Sequence, residues 1–184
     1  MLQTASTIAL LALLALTAQA ETTKYTINQL VADATLVASQ GCVSAQIAID
    51  GSAALTRSGR VKTPDFGGAI VISEFDSCLR QYQGGEGETD TISFSGDLES
   101  ASLVGDIPVE DDLGNVRNIP VVLTWSGIGK VTTEKVEPGP GTSATGREMV
   151  WSRRATLTGT VDGLPVTATG LARLTRRSAV IDTQ

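Results

Sequence analysis

Along most of the chain apolar and polar residues alternate with a period of two, the spacing that sends successive side chains to opposite faces of a β-strand. In Val43-Ser44-Ala45-Gln46-Ile47-Ala48-Ile49 the odd positions are the more apolar. Asp50-Gly51 follows, a dipeptide suited to a two-residue hairpin turn, and another alternating run starts at Ala53. Residues 69–75 are apolar on both faces, which predicts a central strand buried on each side. Ile92, Phe94 and Leu98 keep even phase, whereas Ala101, Leu103, Ile107 and Val109 keep odd phase, so a bulge or turn is expected near residues 97–100. From Ile119 through Val121, Leu123 and Trp125 to Val131 the odd face is apolar, and the even face holds Thr124, Ser126, Lys130 and Thr132.

The C-terminal hairpin is specified in most detail. With Asp162-Gly163 as its turn, Val161 faces Leu164, Gly159 opposes Val166, Leu157 opposes Ala168, and Trp151 opposes Leu174. Its other face presents Thr156, Thr158, Thr160, Thr167 and Thr169, a solvated β-surface. A slip of one residue would exchange the two faces, so burial should pin the register.

One segment departs from this pattern. Thr26-Ile27-Asn28-Gln29 fits a capping box, Leu30, Val31, Ala34, Val37 and Ala38 recur at helical spacing, and Gly41 suits a helix C′ position. A short N-terminal helix is therefore expected. Residues 84–90 (GGEGETD) and 138–146 (PGPGTSATG) read as loops. No repeat of solenoid period is visible. About nine strands, short turns and one helix predict a mainly β domain, an antiparallel β-sandwich or a small β-barrel.

Residues 1–20 look like a signal peptide: Ile8 to Leu16 form an apolar run too short to span a bilayer, and Ala18-Gln19-Ala20 supplies an A-x-A cleavage pattern. The segment Met1 to Thr7 lacks Lys and Arg, and the competing reading is a buried helix. Residues 21–184 are then one β-rich domain, periplasmic or secreted, with no cysteine at its start to carry a lipid. In an oxidising compartment the isolated pair Cys42 and Cys78 is expected to form a disulfide; their spacing is far from C-x-x-C, which argues against a redox or metal site.

Composition narrows the chemistry. The chain of 184 residues has no histidine, which removes Ser-His-Asp and Cys-His nucleophile activation, His-ligated zinc and histidine pH switching. Net charge is −6 and nucleic acid is not an expected partner. Seven aromatic residues and polar strand faces also fit poorly with the aromatic girdles and lipid-facing band of an outer-membrane barrel, so no membrane insertion is expected after the leader is removed. The charge is uneven. Residues 1–140 hold 8 basic and 17 acidic side chains, whereas residues 141–184 hold 6 arginines (Arg147, Arg153, Arg154, Arg173, Arg176, Arg177) and 3 acids. That stripe reads as complementing acidic strands elsewhere, or as a binding surface for an anion or partner.

Few constellations offer chemistry. Asp111, Asp112 and Asn115 beside Gly114 supply clustered oxygens that calcium could use, but the loop lacks EF-hand spacing and also reads as an ordinary surface turn. Glu86, Glu88 and Asp90 read as solubilising acids. A two-carboxylate hydrolase needs no histidine, and Asp97 and Glu99 near the inferred bulge are its candidates. Trp125, Trp151 and Arg153 are the candidate ligand contacts, with Arg153 expected to stack on Trp151 at the open end of the hairpin. The sequence thus points to an exported, soluble, non-catalytic β-domain that binds a protein, glycan or small ligand, or serves the envelope structurally. The alternative is a carboxylate hydrolase, with calcium as its one candidate cofactor; no other cofactor is expected.

Overall fold

The computed structural model describes residues 23–95, 97–137 and 145–183; the leader at 1–20 and most of the 138–146 loop lie outside them. Nine strands run in chain order: β1 (Thr23–Gln40), β2 (Val43–Ser58), β3 (Val61–Asp76), β4 (Gln81–Thr89), β5 (Ile92–Ser95), β6 (Ser100–Glu110), β7 (Val116–Val136), β8 (Thr145–Val161) and β9 (Leu164–Thr183). All pairings are antiparallel, in the order β4-β3-β2-β1-β9-β8-β7-β6-β5, and a further β4–β6 contact closes the sheet into a ring. The mainly β expectation holds, as a barrel-like ring rather than a sandwich. Among the described residues no helix is long and apolar enough to cross a membrane.

The ring closes unequally. β1 and β9 pair from Thr23↔Thr183 to Ala34↔Ala172 without interruption. At the other closure β4 meets β6 through only Glu86↔Glu110 and Gly87↔Val109, before β5 takes over along β6 from Ile92↔Leu103 to Ser95↔Ser100. β4 and β5 thus act as one interrupted strand that pairs first with β3 and then with β6.

The inward positions explain the ring. Ala32, Ala34, Leu36 and Ala38 of β1, Ile47 and Ile49 of β2, Ile70 and Ile72 of β3, Leu103, Ile107 and Val109 of β6, Ile119 to Trp125 at odd positions of β7, and Ala155, Leu157 and Val161 of β8 are buried in one core. Small β1 side chains face large ones elsewhere, chiefly Trp125, which is fully buried. The outward face is polar or mixed, with Thr124, Ser126 and Thr158 exposed.

Four sequence expectations are corrected. The N-terminal helix is instead strand β1: even positions 32–38 are buried, odd positions 35–39 are exposed, and β2 and β9 pair with it on both sides. That alternation outweighs the local capping pattern, because a helix would expose half of these apolar side chains. Asp50-Gly51 is not a turn; Gly51 lies within β2 facing the interior, where an added Cβ would stand 2.1 Å from Ile92 Cδ1. β2 runs on to Ser58, and Gly59 (φ 57°) turns the chain. Residues 84–89 belong to strand β4 rather than a loop. In β3, Ile70 and Ile72 are buried but Val71 and Phe75 are 48% and 44% exposed, so only one face is covered.

Two other expectations stand. Cys42 and Cys78 form a disulfide with Cα atoms 5.6 Å apart, tying the β1–β2 turn to the β3–β4 turn. The C-terminal hairpin turns at Asp162-Gly163, both with positive φ, with Val161↔Leu164, Gly159↔Val166 and Leu157↔Ala168. Farther from the turn the register shifts: Thr156 pairs with Thr169 but Ala155 with Ala172, so Gly170 and Leu171 are extra. Two inserted residues preserve the faces, as a period of two requires, and place Trp151 opposite Arg176 instead of Leu174.

Each end of the core is closed by charge. At the tight-turn end Glu74, the single buried charged residue among those described, accepts from Arg117 Nη2 at 2.6 Å and from Gln83 Nε2 at 2.8 Å. Arg117 also donates through Nη1 to Asp162 Oδ2 at 2.5 Å, linking β3, β7 and the β8–β9 turn. Replacing Arg117 with alanine strands the Glu74 carboxylate; since Arg117 is itself 35% exposed and water can follow, the expected loss is about 2 kcal/mol rather than the roughly 3–5 of a fully buried pair. Urea denaturation checks it: an unchanged midpoint would show that the network contributes nothing.

At the opposite end the β5–β6 turn folds over the core. Leu98 (φ 63°) is 4% exposed, its carbonyl accepts from Arg153 Nη1 at 3.4 Å, and the Gly127 N–H donates to Glu99 O at 2.7 Å. This is the turn expected near residues 97–100.

Candidate functional site

The features singled out in the sequence do not converge. Trp125 is buried, and its indole N–H donates to the Asp33 carbonyl at 3.2 Å, so it presents no surface to a ligand. Trp151 is half-buried against the core, with the Arg176 guanidinium over its ring, Cζ 4.1 Å from the centroid. Arg176 also donates to Asp97 Oδ1 at 2.7 Å. Arg153 does not stack there: its Nε donates to Gly129 O at 3.1 Å and its Nη1 to Leu98 O. The two-residue insertion in β9 explains the exchange, because it brings Arg176 opposite the indole.

Asp97 is thus a salt-bridge partner at the covered end of the core. Arg177 is matched in the same way to Glu148 at 2.7 Å, and Arg173 lies across from Asp33 in the β1–β9 register. On the outer face the row Arg154↔Arg173↔Asp33↔Asp50 crosses four strands. Burial pushes the Asp33 carboxyl above the usual range; Arg173 opposes that shift, and neighbouring Asp50 reinforces it. Much of the C-terminal arginine excess therefore complements acids within the fold, while Arg154 stands exposed.

In the β6–β7 turn, Asp111 Oδ1 accepts from the Leu113 N–H at 2.9 Å and the Asn115 N–H at 2.8 Å, and Oδ2 accepts from Asn115 Nδ2 at 2.9 Å. These bonds, the Asn115 side chain foremost, hold the Asp111 carboxyl below its usual range. They are the bonds of a self-contained turn, made with Asn115 as a donor rather than an oxygen ligand. Asp112 is exposed beside them. Among the described residues the one group close enough to share an ion is Cys42, Asp76 and Cys78, whose sulfurs are taken by the disulfide.

A concavity lies at the weak seam. A groove of about 1040 Å³ runs between β3–β4 and the end of β6 with its following turn. Its lining includes Glu86, Glu88, Glu110, Asp111 and Asp112 and contains no Lys or Arg. Val71, Tyr82, Leu113 and Val116 add apolar surface, at 48%, 70%, 86% and 60% exposure. A shallower depression of about 580 Å³ shares Ala69 and Glu88 with the groove and adds Asp50, Phe66 and Asp90, so the acidic track continues along β3 and β4.

Glycines build this seam. A Cβ on Gly85 would stand 2.4 Å from Glu110 O, and one on Gly87 2.2 Å from Pro108 O, so only glycine lets β4 lie this close to β6. In the sequence these glycines and acids have the composition of a solubilising loop. Alternation at Tyr82, Glu86 and Glu88 was the available sign of a strand.

No protein-family model and no curated protein matches the chain. Among solved structures it is similar to a candidate AttH protein from Nitrosomonas europaea, at 16% identity and a TM-score of 0.41, covering 86% of this chain and 52% of that one. The chain thus spans about half the length of that protein.

Proposed function

We propose that this is an exported, non-catalytic β-barrel domain that works by binding a partner in the groove between β4 and the β6–β7 turn. The observation that carries the reading is the groove itself: five carboxylates and exposed apolar side chains, with no cation in its lining. Such a surface suits a ligand that is both cationic and apolar. The leader-like segment 1–20 and the disulfide support a periplasmic or secreted location, since disulfides persist in oxidising compartments. Apolar side chains fill the inside of the ring and the outside is polar or mixed, unlike the polar interior and continuous lipid-facing band of a membrane-spanning barrel, which supports a water-soluble domain.

The hydrolase alternative has one specific observation in its favour. Glu86 and Glu110 face each other across the seam, and both line the groove. A general acid of that kind works from an apolar enclosure, and both of these side chains stand in solvent. Binding is therefore the better reading.

The test places a photo-crosslinking side chain at Tyr82, at Leu113 or, across the ring, at Leu171, in the exported protein within cells. Adducts from the first two positions and none from Leu171 are expected. Equal labelling at all three, or none at any, would remove the groove as the binding site. Turnover of a glycoside panel that disappears in Glu86→Gln and Glu110→Gln would instead establish the hydrolase.

A further inference from the structure

The closure that forms the groove also leaves a strand edge unused. β4 pairs with β3 along its whole length, from Gly68↔Thr89 to Asp76↔Gln81. On its other side it meets β6 only at Glu86 and Gly87, because β6 ends at Glu110 and the chain turns away through residues 111–115. Among the described residues, 81–85 therefore have a paired strand on one side only, with Glu110 lying against Gly85 at their end, and the groove runs beside them.

We infer that this edge takes up an extended, lysine- or arginine-bearing peptide as an added strand beside residues 81–85 of β4. The inference rests on the groove-binding reading and names the occupant. Three observations carry it. First, the edge is unguarded: soluble proteins blunt free edges with lysine, proline or a covering loop, whereas Gln81-Tyr82-Gln83-Gly84-Gly85 contains neither lysine nor proline. Second, Gly84, on the outer face with Tyr82, carries no side chain to screen the backbone from an incoming strand, while Gly85 is already packed against Glu110. Third, the charge is one-sided. Alternation sends Tyr82, Glu86 and Glu88 to the outer face of β4, and Glu110 and Asp112 line the facing wall. An added strand would offer alternate side chains to that face, so lysine or arginine there meets carboxylates while main-chain hydrogen bonds supply sequence-independent affinity.

Fluorescence anisotropy with the purified protein tests this, using a short labelled peptide of alternating lysine and valine. Three comparisons accompany it: the glutamate–valine counterpart, the lysine–valine peptide N-methylated at every backbone amide, and the Glu86→Gln/Glu88→Gln protein. The lysine–valine peptide is expected to bind, and the glutamate peptide at least about tenfold more weakly. The methylated peptide keeps its charge but cannot donate main-chain hydrogen bonds, and should also lose at least about tenfold. The double variant should weaken binding at low salt, with the difference shrinking as salt screens it. Equal binding of the methylated peptide would overturn strand addition, since charge alone would then explain the affinity. Absence of lysine–valine binding would overturn it too. Should that happen while Tyr82 and Leu113 still crosslink to a partner, the groove reading stands and only the occupant is wrong; loss of both removes the reading itself.

Discussion

Gly159→Val is expected to leave no cooperatively folded protein, and Gly159→Ala to lose more than about 4 kcal/mol, the range reached only by a few mechanisms such as backbone strain and forced overpacking. Gly159 has φ of +146°, a region that L side chains rarely adopt. It also sits on the β7–β8 rung with Leu123, where an added Cβ would stand 1.8 Å from Val122 O and 3.0 Å from Leu123 Cα. Both neighbours are backbone of a fully paired strand, so no rotamer change relieves the contact. Gly163 is the control: it has φ of +75° in the hairpin turn, but its Cβ position is open. Gly163→Asn should cost well under about 1 kcal/mol, because asparagine tolerates the left-handed conformation. Thermal unfolding followed by circular dichroism separates the two. A Gly159→Ala midpoint close to that of the unaltered protein would refute the argument.

The second large effect is loss of the disulfide. Cys42 and Cys78 are 36 residues apart, and closing a loop of that size restricts the unfolded chain by about 4 kcal/mol on the chain-entropy account. Replacing both with alanine should lower the melting temperature by about 10 °C for a domain of this length. Double replacement is preferable to single, which would leave a free thiol. The native hydrogen bonds from Ser77 N–H and Ser77 Oγ to Cys42 O, at 2.9 and 3.0 Å, still join the two turns in the variant. The stability difference therefore reports mainly on the unfolded chain. A drop of only a degree or two would mean that these bonds already hold the turns together in the unfolded ensemble.

How much of this was legible in the sequence follows from the range of the interactions involved. The β-character, the Asp162-Gly163 turn, the inner face of β6 and that of β7 as far as Trp125 depend on alternation and local turn chemistry, and they match the structure; Val131, expected on the same face of β7, is 44% exposed where the pairing with β8 shifts between Ile128 and Thr132. The hairpin register was right near its turn and failed beyond Thr156, because Gly170-Leu171 adds two residues without disturbing the alternation that pattern reading uses. The same insertion exchanged Arg153 for Arg176 over Trp151. β1 was misread for a different reason: its inner positions are mostly alanine, equally at home in a helix, and the strand is decided by β2 and β9 on either side of it. The groove was hidden most completely. Its walls come from β3–β4 and from β6 with its turn, so acids dismissed separately on two segments became one surface only when Gly85 and Gly87 allowed those segments to touch.

The pairing of β1 with β9 bears on how the molecule comes into being. A chain made from its N-terminus completes β1 long before β9, so β1 can be paired only with β2 until nearly the whole polypeptide is present. The ring is then sealed by contacts between residues as far apart as Thr23 and Thr183, a loop whose closure entropy must be met late and all at once. Such topology belongs with proteins that fold in milliseconds to seconds rather than microseconds. For that interval the half-paired first strand is the part of the nascent molecule most exposed to the wrong neighbour.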